Sequence, residues 1–117
     1  MKSFARVVLL LLIASLIFGY TSFKQTMFDY MISADRSRSG LIPGAVQLNG
    51  RKTAFLERAG TGETIVLVHG YTGNKDNWNS FVRYIPLEYR VIAFDMPGHG
   101  DNDKSAGQTY TADYMAS

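Results

Sequence analysis

The sequence predicts an α/β fold in which an antiparallel hairpin leads into a parallel βαβ unit, with a hydrophobic helix ahead of both. Three observations predict it. Asn49-Gly50 separates two strand-like runs, which is the strongest short-range signal for a hairpin. The apolar run Ile65–Val68 ends in a glycine-containing turn, and a second apolar run, Tyr89–Phe94, follows a helical pattern. Strand–helix–strand order implies parallel pairing with a right-handed crossover.

The N-terminal segment, residues 1–23, is apolar with a basic start. Lys2 and Arg6 precede Val7–Phe18, which carries no charge. As a helix, the stretch Val7–Tyr20 spans about 21 Å, less than the ~30 Å hydrocarbon core of a bilayer. An uncleaved signal anchor, a cleaved signal peptide and a buried core helix all fit this pattern. In a membrane, the charge bias leaves the N-terminus cytoplasmic and the body on the other side.

Residues 24–43 are predicted to form an amphipathic helix and a linker. Apolar residues recur at helical spacing through Tyr20–Arg36, so the helix continues past the first segment. Asp35–Gly40 is polar and ends in glycine, which indicates a helix stop and linker. Residues 44–117 then form one small domain of about 75 residues, a marginal length for an independent core.

Composition excludes several classes of function. The net charge of +2 comes from scattered lysines and arginines, which gives no nucleic-acid patch. The chain has no cysteine, and this excludes disulfides, thiolate zinc sites and a cysteine nucleophile. The spacing of His69, Asp76, Asp95 and His99 matches no metal-binding pattern, so no metal or other cofactor is expected.

The predicted strands and helices follow in order along the domain. Gly44–Leu48 and Arg51–Arg58 pair as the hairpin, and Thr64–Gly73 carries a strand expected to be buried on both faces. Either Asn74 or Asp76 caps the next helix, and either Thr109 or Thr111 caps the last one. The apolar face of the first of these helices lies at i, i+3, i+4 and i+7, and it consists of Trp78, Phe81, Val82 and Ile85.

The turn Asp95–Gly100 follows the Tyr89–Phe94 strand. Since carboxyl ends of parallel strands meet at one edge, this turn is expected on the same rim as His69-Gly70. Ligand sites in α/β sheets usually lie at such an edge.

Several motifs in this order and spacing resemble the N-terminal portion of the α/β-hydrolase fold. The nearest branch is that of the membrane-anchored monoacylglycerol lipases and their bacterial lipase relatives. The matching stretches cover most of the chain and are Gly40-Leu41, Phe55–Gly60, His69-Gly70-Tyr71, Asn74–Trp78 and Val91–Gly100.

The resemblance implies ester hydrolysis by a serine in Gly-x-Ser-x-Gly, with a histidine base oriented by an acid. No such motif occurs in this chain, so we expect an N-terminal fragment that ends before every member of the triad and is inactive alone. Its serines are Ser3, Ser15, Ser22, Ser33, Ser37, Ser39, Ser80, Ser105 and Ser117. An aspartate at the missing elbow would instead indicate an epoxide hydrolase or dehalogenase.

The resemblance further implies that the chain keeps half of an oxyanion hole. The family's donor after His-Gly corresponds to the backbone N–H of Tyr71, in a loop with His69, Gly70 and Gly73. His69 corresponds to a structural histidine. His99 has no serine or carboxylate beside it in sequence, so a structural role is favoured over a catalytic one.

The resemblance also bears on the turn after the second strand, on partners and on location. Asp95, Gly98 and Gly100 are expected to build that turn, and this is favoured over a nucleophile or metal-ligand role for Asp95. The expected partners are a lipid or small ester substrate and the membrane, with the body in the bacterial periplasm or at the cell surface, or secreted after cleavage. The competing hypothesis is a complete, non-catalytic membrane-tethered module, with an exposed sheet edge after Tyr89–Phe94.

Overall fold

A computed structural model describes residues 2–104 and 107–116. The chain divides into two compact units, Met1–Ala34 and Asp35–Ser117. Helix α1 runs without a break over Lys2–Arg38, which confirms that the helix continues past the apolar segment. Among the described residues, Phe4–Arg38 is one helix long and apolar enough to cross a membrane. Signal sequences and core helices share these properties.

The second unit contains four strands and short helical segments. The strands are β1 (Ile42–Leu48), β2 (Arg51–Arg58), β3 (Thr64–Val68) and β4 (Arg90–Phe94). A 3₁₀ turn (Lys75–Trp78) and α2 (Asn79–Val82) connect β3 to β4, and α3 (Ala112–Ala116) follows. Ser105 and Ser117, named above among the serines, lie outside the described residues.

The strands form one mixed sheet in the order β1-β2-β4-β3. β1 and β2 pair antiparallel with Leu48 opposite Arg51, and Asn49 and Gly50 both have positive φ, as a two-residue type I′ hairpin turn requires. β3 and β4 pair parallel, which confirms the βαβ unit. The prediction of an exposed edge after Tyr89–Phe94 is wrong, because β4 pairs with both β2 and β3. The outer strands are β1 and β3.

One face of the sheet carries the core. Its buried apolar side chains are Leu41, Leu56, Leu67, Val82, Ile85, Val91 and Ala93. Each large aliphatic side chain in this cluster contributes about 1.5–3 kcal/mol of transfer free energy. The expected burial of β3 on both faces is wrong, because Val66 and Val68 are 54% and 48% exposed. Val66 and Val68 lie on the sheet face opposite the core, and at β3 none of the described helices packs against that face.

The connection between β3 and β4 is less regular than its apolar spacing predicts. The segment begins as a 3₁₀ turn and has only one turn of α-helix, so the register of a continuous helix is lost. Phe81 is consequently half exposed, whereas Val82 and Ile85 are buried. The predicted caps are confirmed: the Asn74 side chain accepts from the N–H of Asp76 (2.9 Å). Thr111 Oγ1 accepts from the N–H of Tyr114 in α3 (3.2 Å).

The helix stop predicted at Asp35–Gly40 is confirmed, because α1 ends at Arg38 and Gly40 has a positive φ, but the predicted linker is wrong, because the stretch belongs to the packed second unit. The helix ends in a Schellman-type turn, in which Leu41 N–H donates to Arg36 C=O and Gly40 N–H donates to Ser37 C=O. Leu41 enters the core. The polar residues of Asp35–Gly40 therefore pack against the second unit instead of forming a linker.

Arg58 connects β2 to the carboxyl end of α2. Its guanidinium is buried and donates to the carbonyl oxygens of Val82 (2.9 Å), Pro86 (2.8 Å) and Tyr89 (3.4 Å). A cation at the end of a helix satisfies carbonyl groups that have no partner within the helix. This contact holds the short helix on the sheet, and no carboxylate in the described part of the chain pairs with Arg58.

Candidate functional site

The parallel pairing of β3 and β4 brings two chain segments to one edge of the sheet. Val68 is opposite Phe94, so His69 and Asp95 follow at the same level. This confirms the expected common rim. His69 is buried, its Nε2 accepts from Met96 N–H (3.0 Å), and its Nδ1 lies 2.8 Å from Gly70 C=O. These contacts assign the neutral tautomer with the proton on Nδ1, and they tie the two strand ends together.

Gly70–Gly73 forms a tight turn, called here the β3 turn. Gly73 N–H donates to Gly70 C=O (3.0 Å), and Thr72 at the third position has a φ of 65°. This is the pattern of a type II turn, whose third position normally takes glycine or asparagine. A β-branched residue with positive φ is strained by about 1–3 kcal/mol, and such strain is typical of functional loops.

The β3 turn presents an unused backbone donor. No residue in the described part of the chain accepts a hydrogen bond from Tyr71 N–H, and the Tyr71 side chain is 92% exposed. A Cβ at Gly70 would enter open space, so the protein leaves room beside this N–H. A Cβ at Gly73 would lie 3.1 Å from His69 Cβ and from Gly70 O, so packing inside the turn favours glycine there.

Asp95–Asn102, called here the β4 loop, is organised around a carboxylate with no exposed surface. Asp95 Oδ1 accepts from Lys75 N–H (2.7 Å), and Oδ2 accepts from Lys75 Nζ (2.7 Å) and Asp101 N–H (2.9 Å). Asn102 donates to Asp95 C=O (2.7 Å) and accepts from Ala54 N–H (2.7 Å). Asp95 therefore bonds to both sides of the turn, and its burial separates both carboxylate oxygens from solvent.

Lys75 is the buried cation of this edge. Its side chain is 3% exposed, and Nζ contacts Asp95 and Asp101 at 2.7 and 2.6 Å. Burial alone lowers the pKa of Lys75, but the hydrogen bonds to Asp101 and Asp95 outweigh it and raise the pKa above its ordinary value. The same hydrogen bond from Lys75 lowers the pKa of Asp101. Both groups are therefore charged at neutral pH.

Two glycines of the β4 loop have positive φ and close neighbours. A Cβ at Gly100 (φ 53°) would overlap the carboxyl group of Asp95, and one at Gly98 (φ 75°) would overlap the ring of Tyr110. Gly100 thus allows the backbone to pass directly over the buried carboxylate. His99 bonds its own turn at Pro97 C=O (3.0 Å), and its ring centroid lies 5.2 Å from that of His69.

Arg36 and Asp76 form a second ion pair next to this edge. Arg36 Nε and Nη2 donate to Asp76 Oδ1 and Oδ2 at 2.6 and 2.7 Å, with side chains only 19% and 12% exposed. Burial alone raises the pKa of Asp76, but hydrogen bonds from Arg36 and Asn79 outweigh it and hold the pKa below its usual value. Bidentate pairs of this kind are strong and directional.

Sequence reasoning missed Lys75 and Arg36 as structural centres. For Lys75 a signal existed, because it precedes Trp78 by three residues and so shares the apolar face with Val82. For Arg36 no local signal existed, because its partner lies 40 residues away. Within the described residues, no group of three or more His, Asp or Glu side chains is placed to hold a metal ion.

Comparisons with known proteins agree with this architecture. Residues 63–117 match the alpha/beta hydrolase fold family. The chain is 33% identical over 75 residues to (E)-2-((N-methylformamido)methylene)succinate hydrolase of Acinetobacter baylyi, covering 64% of this chain and 28% of that protein. It is 34% identical over 53 residues to monoacylglycerol lipase ABHD6 of Bos taurus, covering 45% of this chain and 16% of that protein.

A solved structure resembles nearly the whole chain. The crystal structure of a membrane phospholipase A, described as a bacterial virulence factor, is 34% identical with a TM-score of 0.71. The match covers 99% of this chain and 37% of that one. The chain thus spans less than two fifths of each relative named here. Sheet order, motifs and relatives agree, and the chain carries part of the α/β-hydrolase fold.

Proposed function

We propose that this chain supplies the oxyanion loop of a serine ester hydrolase acting on lipid esters. Tyr71 N–H is one donor of the oxyanion hole, and Gly70 leaves space for the substrate carbonyl beside it. The nucleophile, the acid and the base are not among these 117 residues. The chain alone is therefore expected to be inactive.

The observation that carries this proposal is the N–H of Tyr71 at the carboxyl edge of the sheet, for which the described residues provide no acceptor. The turn bonds its fourth residue, Gly73, to Gly70 and leaves the N–H of its second residue, Tyr71, pointing out of the turn, where an acceptor on a ligand can replace water. A preorganised donor of this kind stabilises a developing oxyanion by about 3–4 kcal/mol. The names of the lipase and phospholipase relatives support a lipid ester as substrate.

Sequencing in frame beyond Ser117 and a labelling experiment test the proposal together. We expect a Gly-x-Ser-x-Gly motif downstream, and covalent labelling of its serine by a fluorophosphonate in the protein that contains it. A reading frame without this motif would refute a serine hydrolase, and an aspartate in its place would indicate the epoxide hydrolase or dehalogenase class. The 117 residues alone should give no turnover of a short-chain nitrophenyl ester.

The apolar helix supports a proposed location. We infer that α1 anchors the protein to a membrane or acts as a signal, with the body in the bacterial periplasm, at the cell surface, or secreted after cleavage. The supporting features are the length and composition of Phe4–Arg38 and the membrane phospholipase among the relatives. Mass spectrometry of the mature membrane fraction tests this. Peptides from residues 1–18 are expected if α1 is retained as an anchor.

A second candidate function is a non-catalytic membrane-tethered module. It is favoured by the outer edge of β3, which is unpaired in the described residues, and by an apolar concavity of about 760 Å³ on the open sheet face. Phe55, Ile92 and Phe94 line this concavity. If the 117 residues unfold cooperatively and elute as a monomer in detergent, they form a complete module. If they elute as aggregates, this candidate is refuted.

A further inference from the structure

The end of helix α1 is fastened to the segment that follows the β3 turn. Asp76 lies three residues after Gly73, and both of its carboxylate oxygens accept from Arg36. Asp76 Oδ1 also accepts from Asn79 Nδ2 (3.0 Å), and Asp76 N–H donates to Asn74 (2.9 Å). Asp76 is thus bonded through its carboxylate to Arg36 and Asn79 and through its N–H to the side chain of Asn74.

The arginine is fixed as firmly as its partner. The Schellman-type turn uses the carbonyl of Arg36 itself, as acceptor for Leu41 N–H (2.9 Å). The Ser39 hydroxyl bonds the carbonyl of Asn79, and Asp35 pairs with Arg83 (3.2 Å). The end of α1 therefore cannot shift without displacing Asp76 or breaking several of these bonds.

The segment has a second support on its other side. Lys75 immediately precedes Asp76, the partner of Arg36, and its N–H donates to the buried carboxylate of Asp95. Lys75 and Asp76 are consequently clamped between the β4 loop and the end of α1. The β3 turn is connected to these fixed residues through Gly73 and Asn74. Within the turn itself there is one hydrogen bond between backbone groups, from Gly73 N–H to Gly70 C=O.

We propose that Arg36 is a positioning residue for the Tyr71 donor, acting through Asp76. This rests on the proposed function. Its physical basis is that an oxyanion donor works only if it is held within a fraction of an ångström of the developing charge. The end of an apolar helix thereby becomes part of the machinery that shapes the site.

Amide hydrogen exchange in detergent micelles tests the mechanical step on the full-length protein. In Arg36→Ala we expect Gly73 N–H and Lys75 N–H to exchange about tenfold faster, because their hydrogen bonds open more often. Arg36→Lys should give an intermediate rate, because lysine keeps the charge without the bidentate geometry. Arg38→Ala is the matched control: it removes an exposed arginine from the same helix end and should leave these amides unchanged.

Kinetics tests the catalytic step. For Arg36→Ala we expect kcat on an ester to fall about tenfold with KM unchanged, because the donor acts on the transition state. A merely structural arginine would lower the amount of active protein and leave kcat per labelled active site unaltered. Where Arg36→Ala does not fold, Arg36→Lys carries both measurements.

The outcomes separate the two proposals. Unchanged exchange at Gly73 and Lys75 in Arg36→Ala overturns the positioning role, and so does faster exchange with unchanged kcat. A wild-type protein that is neither labelled by fluorophosphonate nor able to hydrolyse esters overturns the proposed function instead. Because exchange requires no activity, the mechanical coupling is measured in either case.

Discussion

The β4 loop and the β3 turn leave the same edge of the sheet but use their polar groups in opposite ways. In the β4 loop, both oxygens of Asp95 and the side chain of Asn102 are fully engaged. In the β3 turn, Tyr71 N–H has no partner in the described chain, and Thr72 holds a strained φ. This difference is what the proposed function requires, with the β4 loop as a support and the β3 turn as the part that meets the substrate.

The largest loss of stability is expected when the buried carboxylate of the β4 loop is removed. Asp95→Ala leaves the buried ammonium of Lys75 with the exposed Asp101 as its main partner, at a cost of about 3–5 kcal/mol. Urea denaturation in detergent micelles, followed by fluorescence of the single Trp78, measures it. Asp103→Ala, an exposed carboxylate of the same region, is the control and should change little. A loss below about 1 kcal/mol for Asp95→Ala would contradict the role given to this carboxylate.

A smaller loss is expected where the backbone crosses the carboxylate. Gly100→Ala combines positive φ with overlap of its Cβ and Asp95, which together cost about 3 kcal/mol. Gly107→Ala is the matched control, because Gly107 also has positive φ but nothing within 4 Å of its Cβ position. The same denaturation experiment should give about 1 kcal/mol for the control. Equal losses at the two positions would mean that overlap with Asp95 is unimportant.

The link between the two loops should come next. His69→Ala removes both ring hydrogen bonds and leaves the partly buried Met96 N–H without its acceptor, at a cost of about 2 kcal/mol. His99→Ala should cost less, since the ring of His99 bonds only within its own turn. If the two variants lose equal stability in urea, the hydrogen bond between His69 and Met96 does not stabilise the contact between the two strand ends.

The smallest effect should have the opposite sign. Thr72→Gly relieves the strained φ and should stabilise the chain by up to about 1 kcal/mol, less what glycine adds to the entropy of the unfolded state. Thr61→Gly in an exposed loop has no such strain to relieve and should be neutral or slightly destabilising. A clear loss of stability in Thr72→Gly would show that the Thr72 side chain, not the turn, decides this conformation.

Local chemistry accounts for what the sequence predicted of the fold. Asn49-Gly50 defined the hairpin because turn geometry depends on two adjacent residues. For the same reason, Asn74 was one of the two residues predicted to cap the first helix, and Thr111 was one of the two predicted to cap the last. The position of β4 inside the sheet was missed, because strand order depends on partners far apart in the chain.

The candidate site shows the same division. The rim that joins His69 to Asp95 followed from the parallel order of β3 and β4. The place of Lys75 on the apolar face of the helical pattern was a local signal of its burial, but its two carboxylate partners, Asp95 and Asp101, lie 20 and 26 residues away and could not be read from that pattern. The positive φ of Thr72 was also missed, because threonine gives no signal for a turn position that glycine usually fills.

The sheet order also determines when this domain can assemble. Among the four described strands, β4 is synthesised last, and it lies between β3 and the hairpin in the sheet. Until Arg90–Phe94 has been synthesised, the apolar strand β3 has no partner, whereas β1 and β2 can pair at once. Nascent chains from which β3 but not yet β4 has emerged from the ribosome should therefore expose an unpaired β3, and chaperone binding should be strongest at that stage.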